Sequence, residues 1–237
     1  MAKKSQVKPI KVGMISEPGQ FQIIESYKTV RANLLFSLST LPSRIVLVSS
    51  AEPNAGKSYT TSNLAITMAQ TGSRVLLIDA DMRKPKLHKL FQRDNSQGLS
   101  KLLGGFMDDN LSGIYMGVSP GLDLITSGPV PPNPSELLGH ERAERILKAC
   151  TEAYDYIFID TPPVNVVSDA LMLHHSIAGI MMVARSGQTT YDDFQRALEK
   201  FASVGAPFLG AVVVDVKKKR SNYNRYGRYR YYRYGQN

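Results

Sequence analysis

The sequence predicts an α/β domain, a parallel sheet with helices packed on both of its faces. Short β-branched runs alternate along the chain with segments of helical periodicity, the pattern of parallel strands joined by helical crossovers. The runs RIVLVSS, RVLLIDA, YIFID and GIMMVA are apolar through their centres rather than at alternate positions, as strands covered on both faces must be. Between the first run and the helix after it lies SSAEPNAGKS, a tight loop that opens directly into a helix.

After a polar N-terminal arm (residues 1–24), the first helix is expected over 25–40. Its stretch ESYKTVRANLLFSLS is apolar at helical spacing and meets no breaker until Pro42. The strand RIVLVSS follows, then a helix from Ser58 to Gln70 that ends at Gly72, and the strand RVLLIDA. The segment from Met82 to Pro120 is less regular, with short helices expected over Pro85–Phe91 and Leu99–Leu103, and reads as an insertion beside the active site. The strand LDLIT leads into GPVPPNP, a loop that crosses the rim of the sheet. There Pro134 suits the first positions of the next helix and Glu136 suits its dipole. A helix over Ser135–Ala153, the strands YIFID and GIMMVA, a helix over Tyr191–Val204 and the strand FLGAVVV complete the domain, 25–216. No internal repeat is present.

A chain of 237 residues with 43% hydrophobic content holds one such domain. Its net charge of +9 is unevenly placed: residues 217–237 hold eight Lys/Arg and no acid, which leaves 21 basic against 20 acidic residues elsewhere. The folded part is nearly neutral and the basicity belongs to the tail. That tail carries six tyrosines (Tyr223, Tyr226, Tyr229, Tyr231, Tyr232, Tyr234) interleaved with arginine and no aliphatic residue. It is expected to be disordered and accessible, a good substrate rather than a structural element. The single cysteine, Cys150, excludes an internal disulfide framework and reads as a buried structural thiol. No stretch reaches the roughly 20 apolar residues of a membrane span, and the first residues lack a signal-peptide core, so a cytoplasmic location is expected. The four histidines show no metal-ligand spacing.

A strand, a tight loop and then Gly56-Lys57-Ser58 at a helix start is the context of a phosphate-binding loop, as in P-loop nucleoside triphosphatases. Backbone N–H groups of the loop and of the helix N-terminus converge there on phosphate oxygens. Gly56 permits close approach, Lys57 reaches the β- and γ-phosphates, and the Ser58 hydroxyl completes a Mg²⁺ shell. The loop has Ala51 where glycine usually opens the pattern, and Asn54, a residue that tolerates left-handed dihedrals. The nucleotide-binding set is Pro53, Asn54, Ala55, Gly56, Lys57, Ser58 and Tyr59, joined by Arg185 as either a phosphate contact or a plain surface arginine. Two further strands end in acids, VLLIDAD at Asp79 and Asp81 and YIFID at Asp160. Three carboxylates at strand ends beside a phosphate loop are costly to hold unless they meet a metal or a proton in transit.

These motifs, with LITSGPVPPNPSELL, VARSGQTT and the tyrosine cluster, give a chain that resembles, over essentially its whole length, the bacterial tyrosine kinases of capsular and exopolysaccharide biosynthesis, in the separate cytoplasmic form of Gram-positive bacteria. The partition and septum-positioning ATPases share the fold, but they carry a signature lysine where this chain has Glu52. The resemblance implies ATP and Mg²⁺ as cofactors, Asp79 as proton acceptor and Asp81 and Asp160 as metal holders with Ser58. It also implies transfer in trans to the six tail tyrosines, regulating polysaccharide synthesis and export. In relatives an asparagine often stands near the nucleotide base where this chain has Asp215. Glu25, Lys28 and Arg31 lie nearly on one face of the first helix. By spacing they are either a solvated face or a subunit contact, and the resemblance implies ring-like self-association through them. Its further implications are a membrane-bound activator of the chain-length-regulator type that recruits the kinase to the inner face of the membrane, a cognate phosphotyrosine phosphatase, and no nucleic-acid partner. Two other classes fit composition: a nucleotide-controlled switch whose Arg/Tyr tail binds nucleic acid or anionic lipid, and a scaffold assembled by nucleotide.

Overall fold

Strand and helix alternate as the apolar runs require, and the strands form one seven-stranded sheet. The computed structural model describes residues 21–107 and 114–216. Its elements are α1 (Phe21–Leu38), β1 (Ile45–Ser50), α2 (Lys57–Ala69), β2 (Val75–Asp79), α3 (Leu87–Leu90), α4 (Leu99–Leu103), β3 (Ile114–Ser119) and β4 (Leu122–Ile125). There follow α5 (Pro134–Gly139), α6 (Glu141–Ala153), β5 (Tyr156–Asp160), a 3-10 segment (Asp169–Ser176), β6 (Gly179–Arg185), α7 (Tyr191–Ser203) and β7 (Phe208–Val214). The expected N-terminal arm lies outside the described residues up to position 20, and the tail with its six tyrosines lies outside them entirely.

The strand order is β3-β4-β2-β5-β1-β6-β7. Alternate residues of the central strands point to opposite faces, and each face has its own core. Val46 and Val48 join Leu34 and Leu38 of α1 and Leu64 and Met68 of α2, whereas Leu47 joins Ile146 and Cys150 of α6 and Phe201 of α7. Cys150 is fully buried, and that burial pushes its thiol up to about 12, as befits an inert packing residue.

Three expectations need correction. The sheet is mixed rather than wholly parallel, because β3 runs antiparallel to β4 at one edge. Residues Pro120 and Gly121, the latter at φ 72°, turn one into the other. Gly117 and a register shift between Tyr115 and Ser119 weaken that strand's signature in the sequence. The helix expected over Ser135–Ala153 is two helices, broken at His140, whose extended backbone and Nδ1, accepting the Arg142 N–H at 3.2 Å, cap α6. The first helix starts at Phe21, four residues before Glu25.

The insertion is fastened to the rim loop by glycine contacts. Asn95 pairs with both backbone groups of Gly128, at 2.8 and 3.0 Å. Gly98 sits at φ 148°, where a Cβ would lie 2.4 Å from Gly128 N and Thr126 O. Gly98→Ala therefore adds backbone strain to overlap with backbone, a cost of about 3 kcal/mol or more. The expected fall in melting temperature is on the order of 10 °C, read by thermal denaturation. An unchanged melting point would mean that these segments do not meet.

Candidate active site

The sheet topology brings the acidic strand ends to the phosphate loop. β1 pairs in parallel with β5 and β6, and β5 pairs with β2 so that Asp79 stands opposite Asp160. Residues 51–56 leave the carboxyl end of β1, and α2 begins at Lys57. Asn54 adopts φ 63° and Gly56 φ 91°, the two left-handed positions that let the loop close. Gly56 is also the residue that α2 grows from, and a Cβ there would meet Val214 Cγ2 at 3.4 Å and Arg185 Nη2 at 3.8 Å. The ends of β6 and β7 thus lie against the loop, with Arg185 beside its glycine. Ala55, Lys57 and Ser58 are buried, whereas Pro53 and Asn54 are exposed and Tyr59 is 44% exposed.

The β6–α7 loop is strapped to the phosphate loop. Gln188 Nε2 donates to Pro53 O at 3.0 Å, and the Thr189 hydroxyl donates to the Glu52 carboxylate while accepting the Arg185 N–H at 2.9 Å. Glu52, which stands where the partitioning ATPases carry lysine, is thereby occupied within its own chain. Arg185 Nε lies 3.3 Å from Asp215, which adopts φ 56° just past β7.

Lys57 is 7% exposed, and its Nζ lies 2.9 Å from Asp81 Oδ2. Burial opposes its charge, but Asp160, Asp81 and Asp79 together outweigh burial and hold its pKa above the usual lysine value. Asp79 is fully buried: Oδ1 accepts the Asp81 N–H at 3.2 Å, and Oδ2 those of Lys86 and Leu87 at 3.1 and 2.9 Å. It anchors the loop between β2 and α3. Three N–H groups leave about one of its roughly four lone-pair sites open. Burial, then Asp160, raise its pKa. Asp160 is fully buried too, and burial pushes its pKa up against the pull of Lys57. The Ser58 hydroxyl also favours its charged form, yet neither carboxylate oxygen has a hydrogen bond of ordinary geometry.

Two buried acceptor oxygens without partners, beside a serine hydroxyl at a phosphate loop, fit a Mg²⁺ ion, which takes one or two carboxylates and draws its other ligands from phosphate and water. Among the described residues no three acidic, histidine or cysteine side chains converge on one point, so Ser58 and Asp160 would be the core of such a set. Asp81, whose Oδ2 holds Lys57 and whose Oδ1 accepts the Lys84 N–H at 3.0 Å, is the further carboxylate nearby.

Other expected residues are placed differently. Glu25 and Lys28 pair with each other at 2.7 Å on the exposed side of α1. Arg31 turns inward and donates to Thr67 O at 2.7 Å, at the end of α2, so the three do not form one free face. Sequence reasoning missed Asp169, which is fully buried and grips Arg83. Arg83 follows the acidic strand end directly, in DADMRKP, but a lone aspartate after a proline-rich turn gives no signal of its partner.

Among known families, the model described as an AAA domain matches residues 43–183. The tyrosine-protein kinase YwqD of Bacillus subtilis is 38% identical over 205 residues, covering 85% of this chain and 85% of that protein. A putative tyrosine-protein kinase CapB of Staphylococcus aureus is 32% identical over 228 residues, covering 94% and 97%. A putative tyrosine-protein kinase in the cps region of Klebsiella pneumoniae is 35% identical over 201 residues, and the chain spans only 27% of its length. Among solved structures, the kinase domain of Escherichia coli tyrosine kinase ETK superposes with a TM-score of 0.86 at 33% identity, covering 92% of this chain and 85% of that one.

Proposed function

The chain belongs to the bacterial tyrosine-protein kinase family, and from that premise we propose that it transfers the γ-phosphoryl group of ATP to the tyrosines at 223–234, one copy serving another. The observation that carries this reading is the enclosure of Lys57, at a phosphate-loop helix start, by three buried carboxylates from two strand ends. In the transfer a phenolic oxygen forms a bond to the γ-phosphorus as the bond to the β–γ bridging oxygen breaks, and the electron pair leaves with ADP. A phenol with pKa near 10 is a weak nucleophile at neutral pH, so placement and a proton acceptor supply the catalysis. Asp79, raised toward neutrality and with lone-pair capacity left, suits that acceptor role. Ser58 and Asp160, joined by Asp81 once Lys57 turns to the phosphates, would hold Mg²⁺, which when bound offsets charge on the β- and γ-phosphate oxygens. Arg185, whose guanidinium lies beside Gly56, adds a second cation at the loop.

The same reading places the protein in control of capsule or exopolysaccharide synthesis. No helix of the described residues is long and apolar enough to cross a membrane, and recruitment through a membrane-bound activator fits that. A ring of copies raises the effective concentration of each tail at a neighbour's site, with Glu25 and Lys28 exposed for contact and Arg31 bracing α1 on α2. Each phosphate adds about −1.5 to −2 of charge, so it takes about five of them to overturn the tail's eight positive charges and release it from the acidic site. A phosphatase would reset the cycle.

Incubating the full chain with Mg²⁺ and ATP, with and without the cytoplasmic segment of an activator, and mapping the tail by mass spectrometry tests the reading. Several phosphotyrosines between Tyr223 and Tyr234 are expected. A tail unmodified under both conditions, on protein that binds ATP, would overturn it.

A further inference from the structure

Asp169 is a buried charge with no part in the transfer described above. It opens the 3-10 segment and has no solvent exposure. Arg83 Nε donates to Oδ2 at 2.8 Å and Nη2 to Oδ1 at 3.0 Å, while the Ser135 hydroxyl donates to Oδ1 at 2.5 Å. Burial works against its charge, and these donors more than compensate, holding its carboxyl below the usual range. The partners arrive from three parts of the rim: Arg83 from the loop after β2, Ser135 from the start of α5, and Asp169 from beyond β5.

As a mere weld between loops the pair is a poor device, because the Arg83 side chain is 43% exposed and an ion pair with one member in water adds little stability. The position of Arg83 supplies a second reason. It lies two residues beyond Asp81, and its charge is favoured first by Asp169 and also by Asp81. Asp81 is the acceptor of Lys57 at 2.9 Å. Two cations therefore feel the charge of one acid, and the guanidinium is the better fork for a carboxylate. Left without Asp169, Arg83 would compete with Lys57.

We propose that Asp169 is a positioning residue that captures Arg83 and so reserves Asp81 for Lys57 and the phosphate site. The pair Arg83–Asp169 acts by keeping a cation away, not by contributing one. The activity arm of its test rests on the kinase reading, whereas the labelling arm does not.

The test compares the full chain, Asp169→Asn, and the double variant Arg83→Gln/Asp169→Asn. Without nucleotide, the acetylation rate of Lys57 by acetic anhydride is followed by peptide mass spectrometry, with exposed lysines as internal controls. In Asp169→Asn the rate at Lys57 should rise at least about threefold, and in the double variant it should return close to that of the parent, since the competing cation is gone. Phosphate transfer to the tail should fall about tenfold or more in the single variant and recover in the double. A weld predicts no recovery in the double variant, because the ion pair is absent from both. Unchanged Lys57 labelling in a folded Asp169→Asn protein, or a double variant labelled as fast as the single, would overturn the proposal. Should Asp169→Asn melt below the assay temperature, Ser135→Ala, which loosens the same carboxylate, must raise Lys57 labelling, and an unchanged rate there also defeats it. A parent chain that transfers no phosphate sinks the kinase reading but leaves the labelling result decisive.

Discussion

The Lys57→Met protein is expected to transfer essentially no phosphate to the tyrosine cluster, a fall of at least about a thousandfold from the parent chain. The ammonium group is, among the described residues, the cation bonded within the acidic centre: it touches Asp81 at 2.9 Å and feels Asp160 and Asp79 besides. With its pKa raised, it stays charged throughout the neutral range, and the incoming phosphates meet a full positive charge rather than a titrating one. Methionine keeps the length and bulk of the side chain but returns the site to three carboxylates, two of them fully buried. That environment repels a nucleoside triphosphate, so nucleotide affinity falls along with the rate. Removing one partner of a buried pair also costs about 3 kcal/mol or more of stability, so the assay belongs well below the variant's melting temperature. Phosphate incorporation into the tail, measured beside binding of a fluorescent ATP analogue, separates the two losses. Transfer within about tenfold of the parent would mean that the phosphates are held elsewhere, since one lost charge-stabilising donor alone costs more than that.

The site was legible where the chemistry coincides with the punctuation of the chain. Asp79 and Asp160 end runs of apolar residues, and the register of β2 on β5 places them opposite each other as parallel pairing of strands dictates. Lys57 and Ser58 follow a strand and open a helix, and the backbone has the left-handed positions at Asn54 and Gly56 that such a loop needs. Contacts between distant segments were not legible. Glu52 differs visibly from the lysine of related ATPases, but nothing in the sequence says that Thr189 holds it. Arg31 shares a helical face with Glu25 and Lys28, yet the close packing of α1 on α2 turns its guanidinium to Thr67. The edge strand β3 was hidden because Gly117 and Pro120 carry little strand propensity, and pairing with β4 decides its conformation. The break at His140 rests on a side chain capping its own neighbour, a choice that the uninterrupted apolar periodicity of α5 and α6 conceals.

Asp160→Asn is expected to give a protein that is more stable and nearly inactive. Both oxygens of Asp160 are buried without a hydrogen bond, and the raised pKa means that burial and Asp81 outweigh the help from Lys57 and Ser58. Removing the charge therefore relieves the fold, and it also removes the second cause of the upward shift at Asp79. The sign follows from proton linkage. Asp79 is raised to about 8, so the native state binds its proton more tightly than the unfolded chain, and stability falls as pH rises from the ordinary carboxylate range near 4 into that region. In the parent without nucleotide, unfolding should become easier across this window. In Asp160→Asn the slope should flatten, leaving the two proteins alike near about pH 5 and the variant ahead by about 1 kcal/mol or more near about pH 8. That is a rise of about 2 to 4 °C in melting temperature for a chain of this size. Catalysis moves the other way: an amide is a far poorer partner for Mg²⁺ than a carboxylate, and transfer should drop by at least about a hundredfold. Added Mg²⁺ and ATP should stabilise the parent much more than the variant, because a ligand stabilises only what it binds. Chemical denaturation at the two pH values, with and without Mg²⁺ and ATP, reads all of these effects at once. A variant less stable than its parent near about pH 8, on the same linkage argument, would mean that Asp160 is a structural counter-ion of Lys57 rather than a charge held ready for a metal.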